Sequence, residues 1–133
     1  MQNCRELKVW QKAHPFVLAI YRVTRNFPDT ERYGIISQLR RAASSVPTNL
    51  AEGCGRGSTA ELAQFVQIAS GSASETDYLL ILSRDLEYLD GQEYTSLNNN
   101  LVEIRKMLSA LIKKLRGNLS PRPADHQQPK TSA

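Results

Sequence analysis

The sequence predicts an all-α chain, four helices packed as an antiparallel, up-down bundle. Three observations predict it. Apolar residues recur at alternating intervals of three and four over four separate stretches, turn chemistry fills the gaps between them, and no stretch sustains the alternation of a strand. A length of 133 residues leaves room for one core and one domain.

The first seam runs through Trp10, Ala13, Val17, Ile20, Thr24 and Phe27. Proline disfavours helix in the residue before it, so Phe27-Pro28 ends this element, and Asp29 or Thr30 can cap the next. Ile36, Leu39, Ala43, Val46 and Leu50 form the second seam, closed by Gly53-Cys54-Gly55-Arg56-Gly57. Ser58-Thr59-Ala60-Glu61 reads as a capping box opening the third. That seam is Leu62, Phe65, Ala69, Ser72, Thr76, Leu79, Ser83 and Leu86. Asp90, with Glu93 three residues on, caps the fourth, whose seam is Tyr94, Leu97, Leu101, Ile104, Leu108, Leu111 and Leu115. Gly117 closes it. The spacing therefore predicts helices over 6–27, 30–53, 58–89 and 91–116. Pro15 and Pro47 fall inside helices and should bend them. The bundle is expected to occupy 1–117, followed over 118–133 by a polar, proline-rich tail that buries too little apolar surface to order itself.

Charge is segregated along the chain. Residues 1–57 carry nine Lys/Arg against four Asp/Glu, a balance of +5; residues 58–100 carry one against seven, or −6; residues 101–133 carry seven against two, or +5. One acidic helix among basic ones allows two readings: mutual complementarity within or between subunits, or basic helices facing a polyanion. No apolar run approaches the roughly 20 residues of a membrane span. Met1-Gln2-Asn3-Cys4-Arg5-Glu6 enters a charged amphipathic pattern directly, so a cytoplasmic location without membrane partner is expected. Cys4 and Cys54 are far apart in sequence and read as reduced thiols.

Two segments are apolar around the whole helix, Phe16-Val17-Leu18-Ala19-Ile20 and Leu79-Leu80-Ile81-Leu82. Each helix of a lone four-helix bundle has a face to solvent, so the surplus is expected to be covered by further copies of the chain. Val17, Leu18, Tyr78, Leu80 and Ile81 are the apolar residues expected at that contact.

Several stretches resemble the family of small four-helix bundle proteins encoded by intervening sequences in bacterial 23S ribosomal RNA genes. They are Leu7-Lys8-Val9-Trp10-Gln11-Lys12-Ala13, Phe27-Pro28 with Glu31 and Tyr33-Gly34, Ser37-Gln38-Leu39-Arg40-Arg41-Ala42, Ser45-Val46-Pro47-Thr48-Asn49-Leu50-Ala51-Glu52-Gly53 with Gly55-Arg56, and Ile68-Ala69-Ser70-Gly71-Ser72 with Glu75. The set spans about residues 7–90, and Pro15 and Cys54 depart from the family's pattern. The resemblance implies a four-helix fold and a homopentamer. It also implies kinship with accessory proteins of diversity-generating retroelements, basic bundles that bind a reverse transcriptase and nucleic acid. The family offers no catalytic residue to carry over.

Three constellations remain as candidate sites. Gln38, Arg41, Ser45, Asn49 and Glu52 share one face of helix two. They make a solvated face, a polar intersubunit contact through Gln38, Asn49 and Glu52, or a ligand groove. The glycine-rich turn before helix three can turn its backbone N–H groups and Arg56 toward an anion, though it lacks the Walker spacing and lysine, and any tight turn selects glycine. The basic residues lie on helix one (Arg5, Lys8, Lys12, Arg22, Arg25), helix two (Arg40, Arg41) and helix four (Arg105, Lys106, Lys113, Lys114, Arg116). Summed around a ring, they would suit phosphate backbones of RNA or DNA. Arg22, Arg25, Arg40, Arg41, Arg56, Lys113, Lys114 and Arg116 are the expected contacts. With His14 and His126 as the only histidines and no Glu-x-x-His pair, no catalytic residue, metal site or cofactor is expected. A non-enzymatic binding module follows, with a protein scaffold without nucleic acid as the alternative.

Overall fold

The computed structural model describes residues 3–119. They form four α-helices, α1 (Lys8–Thr24), α2 (Ile35–Cys54), α3 (Thr59–Asp85) and α4 (Gly91–Leu119), with 3₁₀ turns at Cys4–Glu6 and Asp29–Glu31 and no strand among the described residues. Each helix packs on the next in sequence, and α4 also packs on α1, so the four surround one core. No described helix is long and apolar enough to cross a membrane.

The core consists mainly of the residues that the spacing places on the seams. Ala13, Val17, Ile20 and Phe27 are buried, as are Leu39, Ala43, Val46 and Leu50, and Leu97, Leu101, Ile104, Leu108 and Leu115. Trp10 is only partly buried and stacks on His14 with ring centroids 5.3 Å apart. On α3 the buried set is wider than one seam, because Ala63, Val66, Ala73 and Leu80 join Leu62, Ala69 and Leu79. The buried hydroxyls of Thr24, Thr76 and Ser83 donate to the carbonyls of Ile20, Ser72 and Leu79 at 2.8, 2.8 and 2.7 Å, which removes the cost of burying them.

The caps predicted for helices three and four form, whereas neither Asp29 nor Thr30 caps helix two. Glu61 N–H donates to Ser58 Oγ at 3.1 Å, opening α3. At α4 the box is reciprocal, with Glu93 N–H on Asp90 Oδ1 at 2.7 Å and Asp90 N–H on Glu93 Oε1 at 3.0 Å. Several boundaries differ from those expected. Helix one stops at Thr24, and Asp29–Glu31 is a separate turn, so α2 begins only at Ile35. The cap there is Glu31, whose Oε1 accepts from Ile35 N–H at 3.3 Å while its Oε2 accepts from Tyr88 Oη at 2.8 Å. That carboxylate holds the Tyr88 phenol above its ordinary range, chiefly through the hydrogen bond. At the other end of the chain α4 continues through Gly117 to Leu119. The tail expected over 118–133 therefore begins with two helical residues, and its remainder, 120–133, lies outside the described residues.

α3 also ends earlier than predicted, at Asp85. Glu87 adopts φ 65°, and the N–H groups of Glu87 and Tyr88 donate to the carbonyls of Arg84 and Ser83 at 2.9 Å each. This is a Schellman closure with glutamate at the left-handed position that glycine usually fills. Glu87 is exposed, so Glu87→Gly removes strain without removing a core contact. A gain of about 0.5–1 kcal/mol is expected, and an unchanged or lower denaturation midpoint would refute it.

Candidate nucleic-acid interface

The cations expected to contact nucleic acid separate into two groups. Four are engaged within the chain. Arg40 donates through Nε to Thr24 Oγ1 at 2.8 Å, and its guanidinium lies 4.5 Å from the Tyr21 ring centroid. Arg41 pairs with Glu75 at 2.7 Å. Arg56 pairs with Glu52 at 2.9 Å and lies over the Phe65 ring at 5.1 Å. Arg116 donates to Gln67 Oε1 at 3.3 Å. The glycine-rich turn thus directs Arg56 back onto α2 and α3.

Arg22, Arg25, Lys113 and Lys114 form the second group, exposed and with no ion pair among the described residues. Lys113 and Lys114 line a shallow cleft on the outer side of α4 together with Lys106, Ser109 and Ala110. Lys106 was not among the expected contacts, although its position seven residues before Lys113 places both on one helix face. Ser109 and Ala110 are small, so a phosphate could approach the helix between the ammonium groups. Arg22 lines three adjoining clefts between α1 and α4, where Ala19, Ser96 and Asn100 leave space. Lys12 crosses the same boundary to Glu103 at 2.6 Å. Its hydrogen bond and charge, with a smaller contribution from Lys106, hold the Glu103 carboxyl below the usual carboxylate range.

The residues expected at a subunit contact are also divided. Leu18 and Tyr78 are 47% and 60% exposed, Gln38 and Glu52 are exposed, and Ile81 and Asn49 are half-buried. Asn49 Nδ2 donates to the Ser45 carbonyl at 2.8 Å. Val17 and Leu80 correct the expectation, at 8% and 0% exposed: both belong to the chain's own core. The reason is geometric. α1 and α3 each pack against two neighbours, so adjacent residues such as Leu79 and Leu80 both turn inward, one toward each side. What α3 offers to solvent is Ile68, 51% exposed, and Tyr78, with Gly71 and Glu75 completing a 3,4,3 stripe. The spacing of that stripe was visible in the sequence but lies outside the seam. Among the described residues no three His, Cys, Asp or Glu side chains come together as a metal site.

A crystal structure of a protein with unknown function from the S23 ribosomal protein family of Bacteroides thetaiotaomicron is similar to this chain, with a TM-score of 0.73 and 29% identity over 79% of this chain and 95% of that one. Among curated proteins, none matches. The 23S rRNA-intervening sequence protein family matches residues 5–110, from ahead of α1 into α4, and the chain belongs to that family.

Proposed function

We propose that the chain is a non-enzymatic, homo-oligomeric bundle of antiparallel helices that holds RNA or DNA against the cations of α1 and α4 in the cytoplasm. One observation carries the reading: Arg40 and Arg41 of α2, and Arg56 just after it, are taken up by partners within the chain, whereas Arg22 and Arg25 at the end of α1 and Lys113 and Lys114 on α4 have no ion-pair partner among the described residues. Exposed cations of this kind suit phosphates and read no bases. Antiparallel packing is supported by Lys12 opposite Glu103 and Arg22 beside Gln92, since rising positions on α1 meet falling ones on α4. Self-association is supported by the exposed Leu18, Ile68 and Tyr78. The family resemblance implies five copies, around which the basic faces would join.

Filter binding of a single-stranded RNA and a duplex DNA across a salt series tests this. Affinity should fall steeply with salt, and the triple variant K106E/K113E/K114E should bind at least tenfold more weakly, with a log–log salt slope smaller by about 3. Absence of binding near about 50 mM salt rejects the proposal. A second reading rests on the Ile68–Tyr78 stripe, which suits a protein partner such as a reverse transcriptase. A partner retained after nuclease treatment but lost with Ile68→Glu or Tyr78→Glu would favour it.

A further inference from the structure

Cys4 and Cys54 are fifty positions apart in sequence, yet the fold packs the turn that carries one against the helix that carries the other. Cys4 opens the 3₁₀ turn Cys4–Glu6 and is half-buried; Cys54 is the last residue of α2 and only 5% exposed. The Cys4–Glu6 turn packs on α2, and Cys4 rests on the buried cluster to which Cys54 belongs. Leu7 is extended between the turn and α1, with φ −71° and ψ 127°, so the turn can shift without unwinding the helix. Neither cysteine contributes to the basic face.

We propose that Cys4 and Cys54 are a redox pair, which a small-molecule disulfide such as glutathione disulfide closes into an intramolecular bond latching the N-terminal turn onto the end of α2. Cys4, the more exposed of the two, loses its proton to solvent, and its sulfur attacks one sulfur of the oxidant. The oxidant's S–S bond breaks and one thiolate departs to take up a proton. Cys54 then loses its proton and attacks Cys4 Sγ, breaking the mixed disulfide and releasing a second thiolate, which is protonated in turn. Two electrons and two protons pass from the pair to the oxidant, yielding one protein disulfide and two small thiols. Burial, aided by the Cys54 contact, pushes the Cys4 thiol up to about 12. Its thiolate is therefore scarce and the exchange slow, which fits a durable latch and not a turnover catalyst. Joining residues this distant in sequence removes much of the unfolded chain's freedom, so the gain in stability should be large.

The test uses the full-length chain, incubated folded with glutathione disulfide, alkylated, and measured by intact mass and thermal unfolding. Expected is a monomeric chain lighter by two hydrogens that resists alkylation, with Tm raised on the order of 10 °C and the gain reversed by a phosphine reductant. Cys4→Ser and Cys54→Ser should each remove the shift. A persistent glutathione adduct on Cys4, a disulfide between two chains, or two alkylatable thiols after prolonged oxidation would each overturn the proposal. So would a closed disulfide that leaves Tm unchanged.

Discussion

Leu80→Lys should leave no cooperatively folded protein. Leu80 is fully buried on α3, within the apolar core cluster. Deleting a buried leucine side chain alone costs about 2–5 kcal/mol. The ammonium must then either sit uncompensated in an apolar core or lose its proton, and each route costs several kcal/mol more. Against a total stability of about 5–15 kcal/mol, the sum removes most or all of the fold. Ile81 is the control: half-buried at the edge of the core, it can be replaced by a lysine whose stem covers apolar surface while its head reaches water. Far-UV circular dichroism on heating decides the matter. A sigmoidal melt for Leu80→Lys within a few degrees of the parent would show that the α3 core is misplaced.

Gly53→Val comes next in size, and its sign is a contest between two effects. In an ordinary helix interior, replacing glycine gains a few tenths of a kcal/mol even for a β-branched residue. Here α2 and α3 approach too closely for that gain to be realised. A Cβ on Gly53 would lie 2.8 Å from Phe65 Cβ and 3.0 Å from Leu62 Cδ1. The leucine methyl can swing away, but Phe65 Cβ is fixed to the α3 backbone, so the helices must separate. Overpacking of this kind costs about 3 kcal/mol, or on the order of 10 °C in Tm. A denaturant midpoint equal to or above the parent's would mean that α2 and α3 are not in such close contact.

Gly53 also shows how far the sequence could be read. Its glycines look like a helix terminator, and Gly57, at φ 86°, fits that role. Gly53 itself lies within α2 and is needed for helix contact, a requirement that only the neighbouring helix creates. The four seams were legible because burial on one side imposes a period, and both capping boxes were legible because their bonds span three residues. The Glu31 cap was not, since its second partner, Tyr88, is 57 positions away. The candidate site divides in the same manner. Lys113 and Lys114 stand free on α4 as composition suggested, while Arg40, Arg41 and Arg56 find partners that no local pattern announces. The surplus of apolar residues on α3 is real, but the two helices packed on it take up most of that surplus within the chain.

The connections on either side of the α2–α3 pair meet at one place. Glu31 ties the start of α2 to Tyr88, Phe27 packs on the Tyr88 ring at 5.3 Å, and Arg84 covers Tyr94 at 4.5 Å. This knot binds the two connections together at one end of α2, while the N-terminal turn packs on the same helix and Cys54 closes its other end. The two cysteines lie at that far end, away from the knot. The molecule is a clasp, riveted at one end and hooked at the other, and the oxidant supply around it decides whether the hook is fastened.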